Sequence, residues 1–127
     1  MSGASLLTFN LDAASAGTLG QICDGLSIRL VDVPVEAHAL TLGALLAGQA
    51  PASVGGSGES FDEPMIVMCA LSQAQFDELL QTLRFSPIPR IGLKAVLTPH
   101  NVSWSAARLY QELCRERDEM RRRRGKG

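Results

Sequence analysis

The side chains best suited to chemistry stand where two short apolar segments end. Cys69 lies at the carboxyl end of the run MIVMCA, just before a helix predicted from Gln73, whose N-terminal amides and dipole lower a thiol pKa. His100 and Asn101 follow the run LKAVL in a similar way. If the two runs pair as neighbouring strands, His100 approaches Cys69 and Asn101 can orient the imidazole. A thiol nucleophile requires such an oriented base beside it. The alternative is that Cys69 is a small buried hydrophobic residue.

The second polar break also offers a ligand-binding surface, formed by Thr98, His100, Asn101 and Trp104. An indole exposed in a pocket is a platform on which a ligand stacks. Local structure is the simpler explanation of the same residues, because Thr98 and Asn101 can bond the turn and cap a helix, and Trp104 can anchor that helix. These four residues are therefore candidates for ligand binding, and no catalytic residue is assigned beyond the candidates Cys69, His100 and Asn101.

The charges are balanced overall but not along the chain. The 127 residues carry a net charge of -1, which argues against general attraction to nucleic acid or to an anionic membrane. Residues 121–126 nevertheless hold five of the twelve basic side chains, beginning with Arg121. Such a tail binds nucleic acid in some proteins, but here it lacks interleaved aromatic residues. A solvated helix end is the simpler interpretation, since cations suit the negative end of the helix dipole.

Several classes of site and location are disfavoured by what the sequence lacks. The three cysteines, Cys23, Cys69 and Cys114, are odd in number and scattered, which favours reduced thiols in a cytoplasm. The sequence has no CxxC or HxxxH spacing, so we expect no metal site, and we expect no cofactor. No apolar run reaches the roughly 18 residues of a membrane helix, and no signal-peptide pattern opens the chain. We therefore expect a cytoplasmic protein.

Apolar runs alternate with amphipathic stretches in the order βαβα, a loop, and βαβα again. Strands are predicted at 5–10, 28–33, 65–70 and 93–97, and helices around 19–26, at 35–49, at 73–84 and from Trp104 onward. Asp12 or Ser15 caps the first helix, and Ser72 with Gln75 forms a capping box for the third. Strand–helix–strand units favour parallel pairing. The pattern therefore predicts a small, mainly parallel four-stranded α/β sheet.

This order also divides the chain into parts within a single domain. Residues 1–49 form a first βαβα half, 65–114 a second half, and 115–127 a charged helical tail. Because the two halves have the same order of strands and helices and similar apolar spacing, the pattern predicts an internal repeat. Residues 50–64 contain three glycines and no core periodicity, which predicts a flexible loop. In a parallel sheet the loops at the carboxyl ends of the strands gather at one edge, where ligands bind.

The second half resembles a small, uncharacterised bacterial family of domains of unknown function, of the DUF3783 type. The resemblance rests on Leu93-Lys94-Ala95-Val96-Leu97-Thr98, followed by Asn101 and Trp104, and extends over about 65–113. The strand end of the family often reads Cys-Gly-Phe-Ser, where this chain has Cys69-Ala70-Leu71-Ser72, so a side chain stands where the family has none. The resemblance implies an α/β fold and a role for the LKAVLT loop, but no activity.

Three functions follow as hypotheses. The first is a cytoplasmic regulatory or interaction module without catalytic activity, binding a small ligand or a second copy of itself. The second is a thiol-dependent enzyme or redox protein that uses Cys69 with His100. The third is a nucleic-acid accessory protein that acts through the arginine-rich tail. Among partners we favour a homodimer formed through the last helix, because Leu109, Leu113 and Met120 lie near one face of it.

Overall fold

The chain folds into a four-stranded sheet with helices on both faces. The computed structural model describes residues 4–34, 37–38, 40–48, 61–88 and 91–126, with side chains as far as residue 123. The elements, in chain order, are β1 (Ser5–Phe9), α1 (Ala13–Gly25), β2 (Arg29–Val33), α2 (Leu42–Leu46), β3 (Met65–Cys69), α3 (Gln73–Arg84), β4 (Leu93–Val96) and α4 (Ala106–Lys126). The α/β class and the four strands predicted from the sequence are thus confirmed.

The two central strands carry the core. Every residue of β1 and of β3 is buried, as expected of strands covered on both faces. On one face, Leu6 and Ile66 pack with α1 and α3. On the other face, Leu7 and Val67 pack with α2 and with the first half of α4. The sheet therefore separates an α1–α3 layer from an α2–α4 layer.

The sheet is mixed, and the prediction of a mainly parallel sheet is wrong. The strand order is β2-β1-β3-β4, with β2 parallel to β1 and β4 parallel to β3. The central pair β1–β3 is antiparallel, with Ser5 opposite Cys69 and Phe9 opposite Met65. Each βαβ unit is therefore parallel within itself, but the two units point in opposite directions. The loops after β1 and β2 lie at one end of the sheet and those after β3 and β4 at the other, so they do not gather at one edge.

The two short turns that lead from β1 into α1 and from β3 into α3 have the same local geometry. One residue after each strand is left-handed, Asn10 with φ of 62° and Ala70 with φ of 58°. Two residues later the N-cap side chain accepts a hydrogen bond from the first turn, Asp12 from Ser15 N and Ser72 from Gln75 N. The bond from Ser15 lowers the pKa of Asp12. Both predicted caps are confirmed, and Gln75 completes the capping box.

Two segments between β2 and β3 differ from the sequence prediction. The helix predicted at 35–49 is, in its described part, only Leu42–Leu46, which Thr41 caps. Because α4 has 21 residues where α2 has five, an internal repeat is not supported. Of the loop predicted at 50–64, residues 50–60 lie outside the described residues. In the described remainder, Phe61 is buried in the core, whereas Asp62 and Pro64 are exposed.

Candidate functional site

The turn between β4 and α4, where the sequence places its ligand-binding candidates, is closed by its own polar groups. Thr98 N donates to Asn101 Oδ1 at 2.9 Å, and Asn101 N donates to Thr98 Oγ1 at 3.1 Å. The Asn101 amide also donates to the carbonyl oxygen of Val96 at 3.2 Å, and Asn101 is buried. The hydrogen-bonding capacity of Asn101 is therefore engaged inside the turn, which fixes where the next residues lie.

Beyond this turn, His100, Trp104 and Arg108 form an exposed cluster at the start of α4, which we call the Trp104 cluster. The rings of His100 and Trp104 meet edge to face with centroids 5.3 Å apart. The guanidinium carbon of Arg108 lies 4.4 Å from the indole centroid, within cation–π range. Trp104 is half-buried and also packs against the core, while His100 and Arg108 are exposed. The structure thus brings His100 and Trp104 together, and Arg108, which sequence reasoning missed, covers part of the indole.

The Trp104 cluster is held against α2 by main-chain bonds. Leu42 N donates to the carbonyl oxygen of Trp104, and Gly43 N donates to that of Val102, each at 3.0 Å. A Cβ built at Gly43 would lie 3.2 Å from the Val102 side chain, so glycine allows this close approach. The start of α4 is therefore rigidly placed, as a binding surface requires.

Cys69 has the opposite environment to that of a reactive thiol. It is 1% exposed, and its Sγ lies 3.6 Å from the carbonyl oxygen of Val67. Burial raises the pKa of the Cys69 thiol to about 11, despite the opposing charge of Arg29. The imidazole of His100 packs on Trp104 in the exposed turn. The geometry therefore does not supply the accessible thiolate that the enzyme hypothesis needs.

A second polar centre, around Glu63, was not found from the sequence. Arg117 grips the Glu63 carboxylate with two bonds, from Nη1 at 2.9 Å and from Nη2 at 3.2 Å. The Tyr110 hydroxyl donates to the same carboxylate at 2.8 Å. These bonds, from Arg117 first and then Tyr110, lower the pKa of Glu63. The carboxylate in turn raises the pKa values of Tyr110 and Arg117.

An aromatic stack lies beneath this ion pair. Phe61 stands between His38 and Tyr110, with ring centroids 4.2 Å and 4.4 Å away. Phe61 N donates to His38 Nδ1 at 3.3 Å, and Asn10 Nδ2 donates to the carbonyl oxygens of Phe61 and Glu63. The chain before β3 is thus tied to β1, to the segment before α2 and to α4. The only sequence signal was a phenylalanine followed by acids, FDEP, at the end of an otherwise polar loop.

Neither a metal site nor a membrane-spanning helix is found in the parts of the chain that the structure describes. No group of three His, Cys, Asp or Glu side chains there could hold a metal ion. The described helices include none with the length and apolarity needed to cross a membrane. Along α4, the structure offers two surface features: the Trp104 cluster at its start and the Glu63–Arg117 ion pair where it leaves the core.

Fold and site define a small α/β domain with a long exposed helix. Residues 64–120 match the family model of a domain of unknown function, DUF3783, which runs from β3 to Met120 of α4. The resemblance inferred for the second half of the chain is confirmed. No curated protein and no solved structure matches the chain.

Proposed function

We propose that this protein is a non-catalytic interaction module that presents residues 115–126 of α4, here called the distal helix, as a preformed binding element. The observation that carries the proposal is the bidentate ion pair between Arg117 and Glu63, which fixes the direction in which α4 leaves the core. Beyond that pair Met120 is 55% exposed and Arg121 is exposed. The distal helix is therefore anchored at one end and exposed from Met120 to Arg123.

Anchoring matters because a short helix is marginal in water. An isolated helix of fewer than about 12–15 residues pays a nucleation cost that its few hydrogen bonds barely offset. Here nucleation is already complete, since the first half of α4 packs Ala106, Leu109 and Leu113 on the core. Ion pairs from Arg115 to Glu112 and to Glu119 add modest support on the exposed side. Because the distal helix is already ordered, less conformational entropy is lost when a partner binds it than when a disordered segment folds on binding.

The two rival functions have weaker support in the geometry. A thiol enzyme requires an accessible Cys69 thiolate, whereas burial raises the pKa of that thiol. A small-ligand platform at Trp104 requires Arg108 to leave the indole face. A cytoplasmic location agrees with the free cysteines among the described residues, and we include it in the proposal together with the bacterial origin expected from the sequence.

Hydrogen–deuterium exchange in dilute solution tests whether the distal helix is preformed. We expect the amides of residues 115–123 to exchange more slowly than in an unstructured peptide of the same sequence. Glu63→Gln removes the anchor, so it should speed exchange there while leaving β1 unchanged. The matched control is Glu116→Gln, which alters an exposed carboxylate of the same helix and should change little. Exchange of residues 115–123 at unstructured rates in the wild-type protein would overturn the proposal.

A further inference from the structure

The charges of this protein are separated between its body and its distal helix. Residues 115–126 carry seven basic and three acidic side chains, a net charge of +4. Residues 1–114 carry five basic and ten acidic side chains, a net charge of -5. These values give the total of -1, which hides the separation. A molecule with opposite charges at two places attracts its own copies when the two surfaces can meet.

The α1–α3 layer carries four of the ten acidic side chains of the body, all four exposed. Asp24 on α1 and Asp77 and Glu78 on α3 are exposed, as is the N-cap residue Asp12. The basic residue on the same two helices is Arg84, in the last turn of α3. An open cleft of about 450 Å³ runs beside Asp24, with Gly17 and Gly20 in its wall and Arg29 at its β2 side. A Cβ at Gly17 would meet no atom within 4 Å, so a side chain at this position would extend into the open cleft.

The distal helix cannot reach the α1–α3 layer of its own chain. The first half of α4 packs on the sheet face of Leu7 and Val67, and α1 and α3 pack on the opposite face. The Glu63–Arg117 ion pair holds α4 in this direction as it leaves the core. The attraction between the two surfaces can therefore be satisfied only between two molecules.

We infer that the distal helix docks on the acidic α1–α3 layer of a second copy of this chain, beside the Gly17–Gly20 cleft. This inference rests on the proposed function and names its partner. A reciprocal exchange, in which each copy gives its helix and receives the other, closes the assembly as a two-fold dimer. Direct pairing of the two distal helices is disfavoured, because each carries a net charge of +4 and Met120 is its one strongly exposed large apolar residue among the described residues.

A nucleic-acid partner fits the molecule less well than a second copy. A polyanion attracted by Arg121 and its neighbours would be repelled by the body, whose net charge is -5. The acids Glu116, Asp118 and Glu119 also interrupt the basic surface of the distal helix. Binding of an oligonucleotide without self-association is therefore the outcome that separates the two partners.

Charge reversal on both surfaces tests the inference by light scattering at low salt. The tail variant carries Arg121→Glu, Arg122→Glu and Arg123→Glu, and the face variant carries Asp77→Lys and Glu78→Lys. We expect the wild-type protein to be dimeric and each variant alone to be monomeric. An equimolar mixture of the two variants should recover the dimer mass, because the reversed charges are again complementary. Far-UV circular dichroism checks that both variants fold.

Substitutions at Gly17 test the cleft without threatening the fold. Gly17→Gln places a long neutral side chain in the cleft, and Gly17→Ala is the matched control that leaves the cleft open. Both should raise stability, because glycine is a poor helix former. Only Gly17→Gln should weaken the dimer, by about tenfold, the effect of roughly 1.4 kcal/mol. Asp118→Lys, which raises the charge of the distal helix, should strengthen the dimer.

The outcomes separate this inference from the proposed function. A mixture of the two reversed variants that stays monomeric, beside a dimeric wild-type protein, would overturn the docking surface and leave the preformed helix intact. A monomeric wild-type protein that binds a single-stranded oligonucleotide would overturn the choice of partner. A wild-type protein that is monomeric and binds no oligonucleotide would also overturn the inference. Loss of exchange protection in the distal helix would overturn the proposed function itself.

Discussion

At residue 70 the backbone has a conformation that glycine adopts more easily than alanine. The φ of Ala70 is 58°, in the left-handed region, where a Cβ crowds the neighbouring carbonyl oxygen. The turn needs this conformation so that Ser72 can cap α3 immediately afterwards. The turn therefore requires a conformation that glycine adopts without strain, and this chain meets the requirement with alanine.

Replacing Ala70 by glycine should stabilise the fold by about 0.5–1 kcal/mol. The gain is the relief of left-handed strain, reduced by the greater freedom of glycine in the unfolded chain. Ala74→Gly is the matched control: the residue is exposed in the first turn of α3, and the change should cost about 0.5–1 kcal/mol. Urea denaturation of the two variants measures both effects. A destabilised Ala70→Gly protein would contradict the left-handed conformation.

At the scale of elements, the sequence predicted best where local chemistry decides the structure. The capping box of Ser72 and Gln75 and the apolar stripe of α3 gave that helix its observed bounds, Gln73–Arg84. The prediction was poorer for α2, because the alanines and leucines of 35–49 favour a longer helix than Leu42–Leu46, the part that the structure describes. The Glu63 centre escaped prediction because Glu63 and Arg117 are 54 positions apart, and only the fold brings them together.

The Glu63–Arg117 ion pair makes the anchoring of α4 dependent on pH. The pKa of Glu63 in the folded protein lies below the ordinary value of 4.5, chiefly because of Arg117. The carboxylate therefore contributes its full stability above that ordinary value, and the contribution is lost as the pH falls through the folded pKa. The Glu63 side chain is 38% exposed, so solvent screening keeps the contribution small, about 0.5–1 kcal/mol.

Glu63→Gln should accordingly lower the free energy of unfolding more at neutral pH than at an acid pH below the ordinary value of 4.5. As the pH falls through the lowered pKa of Glu63, the wild-type carboxylate takes up a proton and loses its advantage over the amide. Urea denaturation at both pH values measures the difference, and Glu116→Gln on the exposed side of α4 serves as the control. Equal stability losses at both pH values would show that packing, not charge, links Glu63 to α4.

At the scale of the whole molecule, the direction of the central pairing could not be predicted from the sequence. Both β1 and β3 are buried on both faces, so their apolar runs read the same for parallel and antiparallel neighbours. The βαβ rule fixes direction only within a unit, and β1–α1–β2 and β3–α3–β4 both obey it. The long connection from β2 to β3 leaves the second unit free to enter the sheet either way.

A new disulfide can test this topology in solution. Ser5 lies opposite Cys69 in the antiparallel pair, and both side chains are on the face that packs with α4. Directly opposite residues have Cα atoms about 4.5–5.5 Å apart, within the range that a disulfide spans. If β1 and β3 were parallel and started together, Ser5 would instead lie beside residue 65, about 13 Å along the strand from Cys69.

Refolding of a Ser5→Cys variant under oxidising conditions should therefore link the introduced thiol to Cys69, as read from the mass of the joined peptides. The cross-link closes a long loop and should raise the free energy of unfolding by roughly 2–4 kcal/mol, an effect that reduction reverses. Thr8→Cys is the matched control, because Thr8 lies opposite Ile66 and on the other face of the sheet. A Ser5→Cys protein that folds but forms no link to Cys69, or a Thr8→Cys protein that forms one, would contradict the antiparallel register.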